Sequence, residues 1–354
     1  MQTIEIIGAS RASRVLVGDV YRELSRHLPA GRAVVITDEN LLRLYRDELP
    51  PVPVLSIGTG EGAKTLDTVR GLYESMLALE VDRSVFVVGL GGGIVCDVSG
   101  FAAATFMRGL RFGLVATSLL AQVDAGVGGK NGVNLEGYKN LVGTFSQPEF
   151  VLCDPWFLRT LPENEVANGL AEIVKHALIA DAGMFAFIEA HAEKALALDP
   201  DVIARLVGDS VRIKAAVVGR DEREAGARRT LNFGHTLGHA LEAAGRFSHG
   251  EAVSVGMVFA AAVSVRRGRL APAACERIIR LLKRLRLPTA AEADLERVAE
   301  AVGKDKKRSG DAIHMVQLDG IGAAAVETVS IDEFRRSLSD EDGILRPLGS
   351  RPQP

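Results

Sequence analysis

The sequence predicts an α/β domain followed by a mostly α-helical domain. Three observations predict it. Apolar strand runs alternate with helical periods up to about residue 155, and beyond it the pattern turns almost wholly helical. The helical part then carries a histidine-rich stretch, Arg228 to Met257, holding three of the seven histidines. The boundary falls at Asp154-Pro155, and 354 residues suffice for two domains of ordinary size. A net charge of −3 leaves no basic footprint, so no nucleic-acid partner is expected. No run of about 18 uncharged apolar residues calls for a membrane span. The opening MQTIEIIGAS has no basic segment ahead of a long apolar core, so no signal peptide is expected. Cys96, Cys153 and Cys275 lie far apart and form no CxxC pair, which fits a reducing cytoplasm.

In order, residues 3–7, 14–17 and 33–37 read as strands. Asp38, Glu39 and Asn40 then open a helix. An acid just past a strand end can accept from ribose hydroxyls, or it can cap the helix behind it. Residues 54–57 make another strand, 58–62 a glycine loop and 64–79 a helix of period 3.6. The strand 85–88 runs into Gly89-Leu90-Gly91-Gly92-Gly93 and a helix of small residues, 95–104. Strand, glycine turn and helix start is how a backbone approaches a pyrophosphate. The dinucleotide fingerprint GxGxxG is absent, because Ile94 stands where its last glycine would be. A tight turn with close helix packing would use the same glycines. After the strand 111–116, residues 117–140 read as an irregular, glycine-rich segment holding Asp124, Lys130, Lys139 and Asn140. GVGGKN is no Walker loop, since Asp124 and Asn131 occupy the glycine and Ser/Thr positions. A lysine in such a loop suits an anionic group.

The helical part opens at Leu161-Pro162-Glu163 and carries Glu172, Lys175 and His176. Glu172 lies among apolar neighbours, where a lone carboxylate is costly to bury. A metal ion, or an i,i+3 pair with Lys175, would resolve it. Helices follow over 182–195 and 201–218, the latter with Lys214, and then over 271–285 and 291–302. Residues 313–318 and 323–328 read as a terminal hairpin, and the Pro-rich tail from 346 as frayed. His235 and His239 are one helical turn apart and share a face; His249 opens the next helix after a short break. Glu172 with two of these three imidazoles would make a three-ligand site with an open position, the pattern of a catalytic zinc. HExxH is absent, because Thr236 follows His235.

The runs GGGIVCDVSGF (91–101), LLAQVDAGVGGKNGVN (119–134), GYKN (137–140), LPENEVANGLAEIVKH (161–176), GARRTLNFGHTLGHALE (226–242) and HGEAVSVGM (249–257) resemble the 3-dehydroquinate synthases, within the wider sugar-phosphate cyclases. The resemblance runs in order from about Asp38 to Lys307. It implies an NAD-binding α/β domain over 1–155 and a mostly helical metal- and substrate-binding domain over 156–354, in a cytoplasmic homodimer. It implies NAD and a divalent ion, zinc or cobalt, held by Glu172, His235 and His249. Asp124, Lys130, Asn140, Lys175, Lys214, Arg228, Asn232 and His239 fall on its substrate positions, and Lys306 on a late phosphate-binding lysine. Arg108 matches an arginine that reaches the partner subunit's site. Asp38, Asn40, Glu61, Lys64, Gly92, Gly93, Asp97, Thr117, Ser118, Lys130 and Lys139 fall on NAD positions.

The implied reaction takes 3-deoxy-D-arabino-heptulosonate 7-phosphate to 3-dehydroquinate and phosphate. NAD takes hydride from C5, phosphate is eliminated with the substrate's own phosphate as base, the hydride returns, the ring opens, and an aldol step closes the carbocycle. Another sugar phosphate as substrate, or a simple metal-dependent polyol dehydrogenase, are the alternatives. The chain departs from the common pattern of that family at Cys96, Ala116, Ala125, Gly126 and Asn131, leaving every charged position above in place.

Overall fold

The computed structural model describes residues 1–8, 11–29, 31–303, 312–340 and 344–346. They form two compact units, one of Met1–Pro162 with Ile203–Arg223, the other of Glu163–Val202 with the described chain from Glu224 on. The first unit thus extends to Pro162 and takes in residues 203–223 of the helical part.

The first unit contains β1 (Gln2–Ile7), β2 (Ala12–Val17), β3 (Ala33–Asp38), β4 (Val54–Ile57), β5 (Phe86–Gly91), β6 (Phe112–Ala116), β7 (Lys130–Leu135), β8 (Tyr138–Phe145) and β9 (Phe150–Cys153). Seven of them make one sheet in the order β1-β2-β9-β6-β5-β3-β4, parallel except for β1 against β2. β5, β6 and β9 are buried along their whole length, as strands covered on both faces must be, which is why they read as continuous apolar runs. Val35, Phe86, Val88, Val115, Phe150 and Leu152 share one core. β3 has β4 on one side and β5 on the other, so the direction of strand addition reverses there. In open α/β sheets the ligand crevice lies beyond the strand ends at such a switch point, here after Asp38 and Gly91.

Short helices α1 (Leu24–His27) and α2 (Glu39–Tyr45) precede α3 (Leu66–Ala78) and α4 (Gly93–Thr105). α3 starts two residues later than the sequence predicts, because the Thr65 hydroxyl accepts from the Thr68 amide at 3.2 Å and caps it. The segment expected to be irregular contains a single π-helical turn at Ala121–Ala125 and an antiparallel hairpin of β7 and β8. Glycines at 132, 137 and 143 mask its alternation in the sequence. Asn131, one of the departures, is buried in the hairpin and donates its amide to the carbonyls of Gly129 (3.1 Å) and Ser146 (2.9 Å).

The second unit contains α5 (Glu163–Ala180), α6 (Ala182–Leu196), α8 (His235–Ala243), α9 (His249–Arg266), α10 (Pro272–Arg284), α11 (Leu295–Gly303) and α12 (Ile331–Asp340). α7 (Pro200–Arg220) supplies residues to both units. α5 and α9 are buried almost throughout, whereas α10 buries one stripe, Cys275, Ile278, Leu281 and Leu282. The helix expected over 291–302 begins at Leu295 instead, since β10 (Ala291–Glu292) pairs in parallel with β13 (Leu345–Arg346). β11 (Ala312–Gly320) and β12 (Ala323–Ser330) form the expected hairpin. Among the described residues, no helix is long and apolar enough to cross a membrane.

Candidate active site

In the second unit, α5 places Asn168, Glu172 and Lys175 on one face at i, i+4 and i+7, all three buried. Glu172 Oε2 accepts from the Lys175 ammonium. Glu172 Oε1 is also buried and has no hydrogen-bond partner among the described residues. It lies 3.6 Å from His235 Nε2 and 3.4 Å from His249 Nε2. Ligands about 2.0–2.1 Å from one zinc ion in a tetrahedron sit about 3.3–3.4 Å apart, so the spacing suits a shared cation. The three donor atoms all lie within 4.8 Å of one another. The orphaned oxygen and the donor set therefore fit a divalent ion with one position left open.

Local structure fixes this cluster. Gly234 caps α8 in the left-handed region (φ 78°), and His235 Nδ1 lies 3.1 Å from the Phe233 carbonyl. Ser248 and Glu251 form a capping box at the start of α9, so His249 is its first residue. Asn168 Oδ1 accepts from the Gly250 amide at 3.0 Å and the Ser248 hydroxyl at 2.7 Å, bracing the same turn. α8 and α9 touch through their glycines: a Cβ on Gly256 would fall 1.9 Å from the Gly234 carbonyl oxygen.

Electrostatics set the two imidazoles apart. Burial holds the His235 imidazole well below the usual histidine range, so it is neutral and ready to donate a lone pair. Burial also opposes charge on His249, but the carboxylates of Glu172 and Glu242 outweigh it and push its pKa up to about 10. A metal ion must displace that proton to bind. Glu172 is charged despite burial, since Lys175 and His249 hold its carboxyl well below the carboxylate range.

Lys175 thus joins this cluster through Glu172. His239, one turn after His235, packs its ring edge-on against that ring at 5.1 Å and is not among the donor atoms. Arg228 is buried in the short helix before α8, and Asn232 Nδ2 donates to Glu224 Oε1 at 2.6 Å. Sequence reasoning missed Asn168, Glu224 and Glu242. The signal for Asn168 was present: Asn168, Glu172 and Lys175 share one face of a helix that is otherwise apolar from Val166 on except for His176.

In the first unit, the expected cofactor residues gather around the switch point. Asp38 ends β3 and caps α2, accepting from the Leu41 amide at 2.8 Å. Asn40, two residues on, accepts from Arg43. Gly89 and Gly91 serve packing, since a Cβ at either would strike Ser99 or Val95. At Gly92 an added Cβ would meet nothing closer than the Ser118 hydroxyl at 3.5 Å, so packing does not demand glycine there. Gly92 caps α4 and Gly93 is its first residue, which leaves bare backbone at a helix N-terminus. Thr117 closes the adjoining loop by donating its amide to the Gly91 carbonyl at 3.0 Å, and Ser118 Oγ accepts from Ala121. Lys64 pairs with Asp97 of α4. Burial nonetheless pushes the Asp97 carboxyl up. Glu61 accepts from Asn134 at 2.7 Å and lies 4.0 Å from Lys139; Asn134 in turn accepts from the Asn140 amide at 2.9 Å.

Lys214 Nζ donates to the Asp124 carbonyl at 2.6 Å and to its Oδ1 at 2.5 Å, so the π-helical turn and α7 share a buried cation. Lys130 opens β7, exposed, just after two glycines with positive φ. Arg108 is exposed on a left-handed turn after α4 (φ 67°). Lys306 lies outside the described residues.

Family models described as 3-dehydroquinate synthase N-terminal and C-terminal match residues 54–168 and 169–308. A 3-dehydroquinate synthase of Halorhodospira halophila is 43% identical over 337 residues, covering 92% of this chain and 95% of that protein. Among solved structures, a 2-deoxy-scyllo-inosose synthase complexed with carbaglucose-6-phosphate, NAD+ and Co2+ is similar with a TM-score of 0.85 at 28% identity, covering 95% of this chain and 98% of that one. The 2-epi-5-epi-valiolone synthase of Streptomyces hygroscopicus subsp. jinggangensis, with NAD+ and Zn2+ bound, gives 0.86 at 28%, covering 96% and 98%.

Proposed function

The chain belongs to the 3-dehydroquinate synthase family, and we propose that it converts 3-deoxy-D-arabino-heptulosonate 7-phosphate to 3-dehydroquinate and inorganic phosphate. The observation that carries this reading is likeness over nearly the whole chain. It is 43% identical to a 3-dehydroquinate synthase and 28% identical to cyclases of other sugar phosphates. The Glu172, His235 and His249 cluster supports it, because a polyol cyclase needs a cation where this unit collects one carboxylate and two imidazoles.

When bound, NAD supplies a hydride acceptor and later donor, and a zinc or cobalt ion supplies Lewis acidity toward substrate hydroxyls. The rest falls to the chain. Glu172, His235 and His249 would hold the ion, with Lys175 keeping Glu172 ionised. Gly92 and Gly93 would present backbone amides to the cofactor's phosphates, with Asp38 at the neighbouring strand end and Asp97, Lys64, Thr117 and Ser118 nearby. Lys214, steadied by Asp124, and Lys130, Asn140, Arg228, Asn232 and His239 bind the substrate's anionic and hydroxyl groups. Substrate and product differ only by the phosphate released, so the overall reaction would carry no net redox change. The reading includes a cytoplasmic homodimer in which Arg108 serves the partner's site.

Substrate identity is the test. The zinc-loaded protein with NAD is given the heptulosonate phosphate and, separately, the sugar phosphates that other cyclases close. Formation of 3-dehydroquinate from the first alone is expected. Turnover confined to one of the others would move the assignment to that cyclase.

A further inference from the structure

We propose that Glu242 is a positioning residue of the metal centre, holding the His249 imidazole by Nδ1 so that Nε2 faces Glu172. The inference rests on the reading of Glu172, His235 and His249 as metal ligands.

The geometry that carries it begins with helix register. Glu242 lies seven residues after His235, two turns along the same face of α8. α8 and α9 run together at close quarters: a Cβ on Gly234 would fall 2.8 Å from the Val253 carbonyl oxygen, and one on Gly238 3.2 Å from that of Ala252. Continuing that register by one turn sets Glu242 against the start of α9. There its Oε2 lies 3.5 Å from His249 Nδ1, while His249 Nε2 lies 3.4 Å from Glu172 Oε1. The ring is pinned between two carboxylates, one at each nitrogen. Glu242 is only 14% exposed and His249 25%, so water competes weakly for the contact.

Only one tautomer serves a metal ion. With Nδ1–H donated to Glu242, the lone pair of Nε2 is free for the cation. His235 reaches the same state by a different route, its Nδ1 facing the Phe233 carbonyl. An anionic acceptor strengthens the opposite nitrogen as a donor more than a neutral carbonyl does. Glu251 is the useful contrast. It also sits beside His249, but its carboxylate accepts from the Ser248 amide at 2.8 Å and hydroxyl at 2.8 Å, and so works on the helix cap.

The test compares Glu242→Gln, Glu242→Ala and Glu251→Gln in the full chain. It uses zinc affinity by competition with a chromophoric chelator, the visible absorption of the cobalt-loaded protein, and the melting temperature of the metal-free protein. Glu242→Gln keeps shape and should raise the zinc Kd about 10- to 100-fold and shift the cobalt bands, with little change in melting. Glu242→Ala should do at least as much. Glu251→Gln should lower the melting temperature and move the zinc Kd less than either. Wild-type affinity and an unshifted cobalt spectrum in both Glu242 variants would overturn the proposal alone. A wild-type protein that takes up neither ion would overturn the ligand reading and the proposal with it.

Discussion

Glu172→Gln is expected to abolish stoichiometric zinc binding and to destabilise the metal-free protein as well. Two effects combine at one atom pair. Gln offers no anionic oxygen to the cation, and losing a direct ligand should exceed the roughly 100-fold that loss of an outer partner can cost. The same change strips the counter-charge from Lys175, whose side chain is 2% exposed. Breaking a buried ion pair by removing one partner costs about 3–5 kcal/mol. Metal analysis and chemical denaturation of the chelated protein read the two effects separately. Adding Lys175→Met should recover much of the stability and none of the zinc, because the stranded charge is then gone. A Glu172→Gln protein that keeps zinc at wild-type affinity would contradict the ligand assignment.

Gly256→Ala is the second large expectation, and it acts at a distance from any ligand atom. The added methyl would lie 1.9 Å from the Gly234 carbonyl oxygen and 3.1 Å from the Gly238 amide nitrogen. Both are backbone atoms of the α8 start, so no rotamer relieves the clash and the helices must part. Overpacking typically costs about 1–3 kcal/mol, and a backbone clash belongs at or above the upper end. His235 and His249 sit on the two separated helices, so zinc affinity should fall with stability. Gly71→Ala is the control: it lies within α3, and an added Cβ meets nothing within 4 Å. It should be neutral or stabilise by up to about 1 kcal/mol. Thermal melts and zinc titration of both variants check the contrast.

These expectations rest on features that were unequally legible in the sequence. Strands such as β5 and β9 were plain, since burial on both faces demands unbroken apolar runs. The β7–β8 hairpin was hidden, because glycines interrupt its alternation and β8 is largely exposed. Helix periodicity alone put His235 and His239 on one face and left the ligand pair undecided. That His249, on the next helix, comes within 5.4 Å of the His235 ring becomes visible only when the packing of α8 along α9 through Gly234 and Gly256 is known. Asp38 illustrates a different limit: both the capping and the ribose readings fit its position in the sequence, and the structure shows the capping bond from the Leu41 amide. Glu242 carried no sequence signal, since an acid on a helix face is ordinary until its partner across the helix pair is known.

Phosphate release from the heptulosonate phosphate with catalytic NAD is the most direct test of internally recycled redox chemistry at a metal-dependent site. Stoichiometric phosphate with no net NADH is expected, with release lost on chelation and restored by zinc or cobalt. Accumulation of NADH in step with substrate consumed, or phosphate release indifferent to chelation, would contradict it.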